Sequence, residues 1–231
     1  MACSIVIQYE DFKSPFPSLE RYQHTYTMFN DDVQGTGAVI LGGFIAAVKA
    51  TGVPIRSHRA VFLGAGSAGV GVAKQLVEFF IKEGLTEDEA RGKFWLVDSR
   101  GLVTLDRGDR LLEHKVYFAR EDNGGNQFAT LDEVIDYVQP TILMGLSTIG
   151  GAFTPAILRK MATLNDRPVI FPLSNPSSKS ECNFEDAIRY TEGRCLFASG
   201  SPFPSVEYDG RLLTPGQGRL GSPRFRLKVT C

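Results

Sequence analysis

Short apolar segments alternate with helical segments through most of this 231-residue chain, and this alternation limits the possible folds more than any other feature. The apolar segments are nearly continuous, which is typical of strands buried on both faces. Parallel strands need a crossover helix between them, so the order predicts an α/β fold with a Rossmann-like, doubly wound, mostly parallel sheet. The predicted strands are 59–64, 94–98, 141–146, 168–174 and 194–199. The predicted helices are 15–28, 68–83, 131–138, 153–164 and 184–191, with a loop at 84–92.

Small or polar residues follow all five predicted strands. Open parallel sheets bind ligands at the carboxyl ends of their strands, where the strand order reverses. Small side chains leave room in such a crevice, and polar ones offer hydrogen bonds, so we expect a ligand site at this edge. The strand ends are Gly64-Ala65-Gly66, Asp98-Ser99, Gly145-Leu146-Ser147, Ser174-Asn175 and Ser199-Gly200-Ser201.

A GxGxxG motif, Gly64-Ala65-Gly66-Ser67-Ala68-Gly69, joins the first of these strands to its helix. The first glycine allows a tight turn, the second lets backbone N–H groups reach a pyrophosphate, and the third lets helix and strand pack closely. The helix N-terminus then faces the negative charge. A glycine turn alone has many structural uses, but the strand before it and the helix after it predict a dinucleotide site.

Asp98 ends the next predicted strand, where an acid can accept hydrogen bonds from an adenosine ribose. With Ser99 it is expected to bind the cofactor, and the choice between NAD and NADP stays open. The Asp98 carboxylate would repel a 2′-phosphate and favour NAD. Ser99, Arg100 and Lys115 could instead accommodate that phosphate. Arg100 and Lys115 could equally be solvated surface residues.

Two pairs of acidic residues, Glu10-Asp11 and Asp31-Asp32, form a second candidate site. The first pair follows a short predicted strand at 4–8, and the second precedes a predicted helix at 33–50. Three convergent carboxylates could hold Mg²⁺ or Mn²⁺ and leave positions for water and substrate oxygens. The same acids could instead be solubilising surface residues, with Asp32 as a helix N-cap.

Charge and composition argue against several classes of partner. A net charge of −1 provides no basic field for a phosphate backbone, so nucleic-acid binding is not expected. The longest apolar stretch, 37–48, is too short to span a bilayer of about 30 Å, so no membrane partner is expected. The absence of a targeting leader and the scattered cysteines predict an intracellular protein of the cytoplasm or mitochondrial matrix. His24, His58 and His114 have no metal-ligand spacing and are expected at the surface or as caps.

Eight segments, in one order from about residue 7 to residue 218, resemble those of malic enzymes. The combination of FNDDVQGT with LSNP and FASGSPF is far more specific than GxGxxG alone. The segments are QYEDF (8–12), FNDDVQGT (29–36), GAGSAG (64–69), WLVDSRGL (95–102), IGGAFT (149–154), LSNP (173–176), FASGSPF (197–203) and PGQG (215–218).

The resemblance implies oxidative decarboxylation of L-malate to pyruvate and CO₂ with reduction of NAD⁺ or NADP⁺. It implies that Glu10, Asp11 and Asp32 are ligands of Mg²⁺ or Mn²⁺, with Asp31 in a supporting role. Asn175 would contact malate or the nicotinamide end of the cofactor. It also implies that the full-length family members are homo-oligomers.

The sequence departs from the family pattern at both ends. Malic enzymes carry a lysine base, a tyrosine acid and a malate-binding arginine upstream of the QxEDF segment, and no residue of this sequence can be assigned those roles. The expected domains are a remnant of the substrate and metal domain at 1–30, an NAD(P)-binding domain at 31–218, and a disordered, aberrant tail at 219–231.

These departures predict the metal- and NAD(P)-binding half of a malic enzyme, inactive with malate by itself. One alternative is a non-catalytic NAD(P)-binding fragment that docks on full-length subunits. Another is a different dehydrogenase, such as an amino-acid dehydrogenase, against which the FNDDVQGT segment argues.

Overall fold

The computed structural model describes residues 5–12, 14–108 and 111–217. The strands are β1 (Ile7–Tyr9), β2 (Met28–Asn30), β3 (Ala60–Leu63), β4 (Phe94–Asp98), β5 (Gly101–Leu102), β6 (Ile142–Gly145), β7 (Val169–Pro172), β8 (Leu196–Ser199), β9 (Val206–Tyr208), β10 (Arg211–Leu213) and β11 (Gly216–Gln217). The α-helices are α1 (Phe16–Tyr22), α2 (Thr36–Thr51), α3 (Ser67–Lys82), α4 (Glu87–Arg91), α5 (Glu113–Val116), α6 (Leu131–Val138), α7 (Pro155–Leu164) and α8 (Phe184–Tyr190). A π-helical turn, Asp31–Gly35, leads into α2.

One seven-stranded sheet has the order β11-β8-β7-β6-β3-β4-β5. Its neighbouring strands are parallel, except for the antiparallel pair β4 and β5. The chain builds outward from β3 to β4 and β5, then crosses back to β6 on the other side of β3. The strand order therefore reverses between β3 and β6, where such sheets bind their ligands. The predicted doubly wound, mostly parallel sheet is confirmed.

Helices cover both faces of this sheet. One apolar cluster packs α2 and α3 on the sheet around Phe44, Phe80 and Phe94. The other packs α6, α7 and α8 on the opposite face, with Phe197 among its buried residues. Because both faces are covered, every residue of β3, β6 and β7 is buried. This accounts for the continuous apolar segments in the sequence.

The helix predicted at 33–50 is a longer element, because the π-helical turn and α2 together run from Asp31 to Thr51. One glycine in this element and one in α3 allow the two to pack closely. A methyl group on Gly37 would meet Gln75 of α3, and one on Gly71 of α3 would meet Val33. An 18-residue window of this 21-residue run has a mean hydropathy of 1.4, so length and composition alone would allow the run to span a membrane. It packs against α3 as part of the core. The expected absence of a membrane partner stays a prediction.

Several short elements were not predicted. The segment 84–92, expected as a loop, contains α4, which starts with a capping box formed by Thr86 and Glu89. The helix expected at 15–28 is only α1, because β2 follows it and pairs in parallel with β1. The strands β5, β9, β10 and β11 have two or three residues each, too few to show a sequence period. The predicted tail, 219–231, lies outside the described residues.

Phe80 is fully buried in the first cluster, with its ring centroid 5.9 Å from that of Phe44 and 5.4 Å from that of Phe94. We expect Phe80→Ala to lower the free energy of unfolding by about 3–5 kcal/mol, because it leaves a cavity in the core. Phe79→Ala is the matched control, since it makes the same change at a partly exposed position of α3 and should cost less. Urea unfolding followed by circular dichroism measures both, and equal losses would contradict the placement of Phe80.

Candidate nucleotide and substrate site

The glycine loop joins β3 to the N-terminus of α3 at the point where the strand order reverses. Gly64 has a φ of +120°, and a methyl group there would overlap the backbone of Leu146 at the end of β6. A methyl group on Gly69 would overlap the carbonyl oxygen of Gly64. By contrast, a methyl group added at Gly66 would have no described atom within 4 Å apart from Gly66 and its chain neighbours. The fold itself therefore requires Gly64 and Gly69, whereas the space beside Gly66 is open to a ligand.

The glycine loop lines a cavity of about 430 Å³. The predicted cofactor residues Gly64, Ala65, Gly66, Ser67, Asp98 and Ser99 all line it. Ala68 and Gly69 lie behind the loop in the first turn of α3 and do not line it. Leu112, His114, Lys115 and the segment from Leu146 to Ile149 also line the cavity, with Leu63 and Val97 from the strand ends.

Asp98 accepts four hydrogen bonds at the edge of this cavity. Its Oδ1 accepts from the Arg100 backbone N–H and from Nη1 of Arg107, both at 2.9 Å. Its Oδ2 accepts from Nη2 of Arg107 at 2.9 Å and from Nζ of Lys115 at 2.7 Å. The side chains of Asp98, Arg107 and Lys115 are only 10%, 7% and 15% exposed. Lys115 is therefore not a solvated surface residue.

The cations around Asp98 keep it ionised. Burial alone would raise the pKa of Asp98, but the hydrogen bonds from Arg107, Lys115 and the Arg100 backbone outweigh burial and hold that pKa well below its usual range. We call Asp98, Arg107 and Lys115 the ribose-side ion cluster. Arg107 and Lys115 together neutralise the Asp98 carboxylate at the edge of the cavity.

Two of the three histidines are at least partly buried, one beside the cavity and one in the interior. His114 lines the cavity, its ring stacks on Phe16 with centroids 5.5 Å apart, and burial lowers its pKa. His58 is fully buried, and its Nδ1 lies 3.0 Å from Oγ1 of Thr141. The expectation of surface positions was therefore wrong for His58, because packing against the sheet and a polar partner stabilise it inside.

A second cavity, of about 780 Å³, lies between α2 and the carboxyl ends of β7 and β8. Asn175 and Asp31, predicted separately as a substrate-side residue and a supporting residue, both line it. Ser201 donates a hydrogen bond from Oγ to Oδ1 of Asn175 at 2.8 Å. This bond holds the amide in one orientation, in which its Nδ2 has N–H groups for other partners.

The four predicted acids meet because β1 and β2 are parallel and in register from Ile7 and Met28 to Tyr9 and Asn30. The backbone N–H of Asp11 donates to Oδ2 of Asp32 at 2.8 Å. Partial desolvation and the charges of Asp31, Asp11 and Asp32 raise the pKa of Glu10. Within the described ranges, however, no three His, Cys, Asp or Glu residues are arranged to hold a metal ion. Metal binding by Glu10, Asp11 and Asp32 therefore stays a prediction.

Sequence reasoning missed Arg107 and Glu181. Arg107 lies in an irregular segment after β5, where no periodic pattern indicates which side chains turn inward. Glu181 is fully buried and accepts hydrogen bonds from Ser147 and Ser174, which follow different strands. No sequence signal distinguishes these two residues from ordinary surface charges.

Comparisons with known proteins agree with this geometry. Residues 33–219 match the family described as "Malic enzyme, NAD binding domain". The chain belongs to the malic enzyme family. An NADP-dependent malic enzyme of Dictyostelium discoideum is 49% identical over 216 residues, which are 93% of this chain and 40% of that protein. The NAD-dependent malic enzyme 3 of Bacillus subtilis is 45% identical over 222 residues, which are 92% of this chain and 39% of that protein.

Solved malic enzyme structures share the architecture. The NAD-dependent malic enzyme of Thermotoga maritima aligns with a TM-score of 0.67 and 28% identity over 84% of this chain and 48% of that one. The malic enzyme of Pyrococcus horikoshii aligns with a TM-score of 0.67 and 27% identity over 84% and 43%. Family membership and the Rossmann-like class are thereby confirmed. The chain spans at most 40% of the length of the two curated relatives.

Asp98→Asn tests the ribose-side ion cluster through the pH dependence of stability. Because the pKa of Asp98 is lower in the folded state than in the unfolded state, its ionisation stabilises the fold above about pH 4, and this contribution is lost as the pH falls through the acid range. We expect the variant to be about 3–5 kcal/mol less stable than the wild type near pH 7, because it leaves buried cations without their carboxylate.

The difference should narrow as the pH falls below about 4, because Asp98 of the unfolded wild type then binds a proton while Asp98 of the folded wild type is still ionised. Urea unfolding at a series of pH values measures it. Asp88→Asn is the matched control, because Asp88 pairs with Arg91 at the exposed surface and its loss should change stability little. A difference that persists undiminished into strong acid would contradict the role given to Asp98.

Proposed function

We propose that this chain binds NADP⁺ or NAD⁺ in the smaller cavity and serves in the oxidative decarboxylation of L-malate to pyruvate and CO₂. The observation that carries the proposal is the position of the glycine loop. Its open space at Gly66 lies between the ribose-side ion cluster and the segment that leads to the cavity of Asn175. Relatives that match more than nine tenths of the chain are named NADP- or NAD-dependent malic enzymes.

The order of elements suggests how a dinucleotide would lie. The pyrophosphate would contact backbone N–H groups at the N-terminus of α3, where the aligned peptide dipoles favour negative charge. The two mononucleotide halves of such a sheet bind on either side of the strand-order reversal. The adenosine would therefore lie toward Asp98, and the nicotinamide toward the ends of β6, β7 and β8, near Asn175.

The ribose-side ion cluster favours NADP⁺ over NAD⁺. A free carboxylate at Asp98 would repel a 2′-phosphate, but Arg107 and Lys115 neutralise this carboxylate, and Lys115 lines the cavity itself. The hydroxyl of Ser99 lines the same cavity and can donate to a phosphate oxygen. NAD⁺ gains less from this site, because both carboxylate oxygens already accept two hydrogen bonds each.

Glu10, Asp11 and Asp32 are the residues proposed to hold Mg²⁺ or Mn²⁺. Their carboxylates are the oxygen donors that such cations prefer, and they lie close enough for their charges to raise the pKa of Glu10. A divalent cation would relieve this repulsion. When bound, it would supply Lewis-acid stabilisation of the negative charge that develops on substrate oxygen.

Asn175 is proposed to orient the reactants in the larger cavity. Because Ser201 donates to its Oδ1, its Nδ2 can donate hydrogen bonds to a malate carboxylate or to the nicotinamide carboxamide. Asp31 lines the same cavity beside the proposed metal ligands. The reaction also needs a base for the malate hydroxyl proton and an acid for the enol, and we assign neither role to a residue of this sequence.

Gly66→Ala tests the nucleotide site. The methyl group would occupy the open space proposed for the pyrophosphate, so we expect the affinities for NADP⁺ and NAD⁺ to fall at least about tenfold. The fold should be unaffected, because no described atom outside Gly66 and its chain neighbours lies within 4 Å of the new carbon. Gly42→Ala is the matched control, since it adds the same methyl group in open space on α2, outside both cavities.

Isothermal titration calorimetry gives the dissociation constants of wild type and variants. For the wild type we expect NADP⁺ to bind more tightly than NAD⁺. If the wild type bound neither nucleotide, or if Gly66→Ala bound as well as Gly42→Ala, the proposed site would be wrong.

Asp32→Asn tests the proposed metal ligands. Asparagine keeps an oxygen that can accept the hydrogen bond from the Asp11 backbone, and only the charge is lost. We expect the affinity for Mn²⁺ to fall at least about tenfold, because carboxylate charge dominates the binding of hard cations. Electron paramagnetic resonance of free Mn²⁺ measures the titration, and Asp88→Asn again serves as the control. Unchanged Mn²⁺ binding in Asp32→Asn would remove Asp32 from the proposed site.

A second candidate function is a non-catalytic NAD(P)-binding chain that docks on a longer subunit. It is favoured by apolar side chains that are exposed near β1, with Ile5, Val6 and Phe12 exposed by 76%, 59% and 58%. Incubation of the 231-residue chain with L-malate, Mn²⁺ and NADP⁺ separates the two functions. Turnover above that of Asp32→Asn supports the enzyme, whereas nucleotide binding without turnover supports the docking chain.

A further inference from the structure

Glu181 is a fully buried carboxylate between the two cavities, and the proposed reaction does not use it. Its Oε1 accepts hydrogen bonds from the backbone N–H and Oγ of Ser147, at 2.9 and 2.8 Å, and from Oγ of Ser174 at 2.6 Å. The Ser174 backbone N–H lies 3.4 Å from its Oε2. The two backbone N–H groups can only donate, so both carboxyl oxygens of Glu181 accept a hydrogen bond from the backbone.

No lysine, arginine or histidine in the described part of the chain forms an ion pair with Glu181. Its charge is stabilised by hydrogen bonds alone. Gly145, the last residue of β6, packs directly on it, since a methyl group there would overlap the Glu181 carboxyl group. The negative charge is therefore held against the end of β6, close to the reversal of strand order.

The two serines connect Glu181 to both cavities. Ser147 Oγ accepts the N–H of Ile149 at 3.1 Å, and Ser174 Oγ accepts the N–H of Thr148 at 2.9 Å. Thr148 has a φ of +59°, which is unfavourable for a β-branched residue, so these bonds hold the segment in a conformation that it would not adopt alone. Thr148 and Ile149 line the smaller cavity, and Asn175, which follows Ser174, lines the larger one.

We propose that Glu181 positions the wall between the two cavities and that its fixed negative charge makes the site prefer the oxidised, cationic nicotinamide ring to the reduced, neutral ring. The inference rests on the proposed function, because it takes the nicotinamide to lie on the side of β6, β7 and β8. A buried charge is screened less than a charge in water, so it affects a ring cation several ångströms away. Hydride transfer to the ring removes the positive charge and with it this attraction, so the reduced cofactor is held less tightly.

Glu181→Gln removes the charge while keeping an oxygen that can accept from the serines. The dissociation constants of NADP⁺ and NADPH are measured for wild type and variant, NADPH by its fluorescence and NADP⁺ by competition. The quantity of interest is the ratio of the NADPH constant to the NADP⁺ constant. The two ligands differ only in the nicotinamide ring, so general damage to the site weakens both and cancels in the ratio.

We expect the ratio to fall about fivefold in Glu181→Gln, the effect of one poorly screened charge. Glu185→Gln is the matched control, because it removes the same charge from an exposed residue of α8 that pairs with Arg189. In this control the ratio should equal that of the wild type. An unchanged ratio in Glu181→Gln, with wild-type binding intact, overturns the inference and leaves the nucleotide site standing. A wild type that binds neither nucleotide overturns the proposed function instead.

Ser174→Ala separates position from charge and remains informative if Glu181→Gln does not fold. This variant keeps the carboxylate but loses the hydroxyl that joins Glu181 to Thr148. We expect both dissociation constants to rise by a similar factor and the ratio to stay at the wild-type value. A ratio that falls in Ser174→Ala would mean that loop position, and not charge, sets the preference, and the proposal would be wrong.

Discussion

Gly64 and Leu146 meet backbone to backbone at the centre of the sheet, and the rest of the structure depends on this contact. It allows β3 and β6 to remain parallel neighbours while the chain leaves one for α3 and returns to the other after building β4 and β5. Side chains at this point would force the two strand ends apart. Their absence leaves a crevice with a helix N-terminus on one wall, and both cavities lie along that edge of the sheet.

Three groups of charges lie along this crevice, and each is stabilised differently. At the end of β4, Asp98 is surrounded by cations, which makes that end suitable for phosphate. At the ends of β1 and β2, the charges of neighbouring carboxylates help to raise the pKa of Glu10, and this is the end where we propose that a cation binds. Between them, the partners of Glu181 within the described part of the chain are all neutral hydroxyl and N–H donors. This arrangement matches a ligand with phosphates at one end and reactive chemistry at the other.

The sequence predicted the regular part of the fold because burial on both faces leaves a strong pattern. The helix expected at 131–138 and the strand expected at 94–98 have the observed bounds, and the strand expected at 194–199 begins two residues before the observed one. The failures have physical reasons. α4 has five residues and begins with a capping box in a polar stretch, and β5 has two residues, so neither creates a period. The candidate site residues were found through motifs, which identify residues but not their partners.

By itself, the sequence determined the parallel sheet, the glycine loop and the family, because each depends on residues that are neighbours along the chain or recur with a fixed period. Only the tertiary structure decided how charges are paired. Arg107 binds Asp98 from an irregular segment and Lys115 binds it from the short helix α5. Glu181 joins serines that follow two different strands. Pairing across such distances in sequence depends on where the folded backbone places each side chain. The sheet was therefore readable from the pattern, and the electrostatics of its ligand site required the fold.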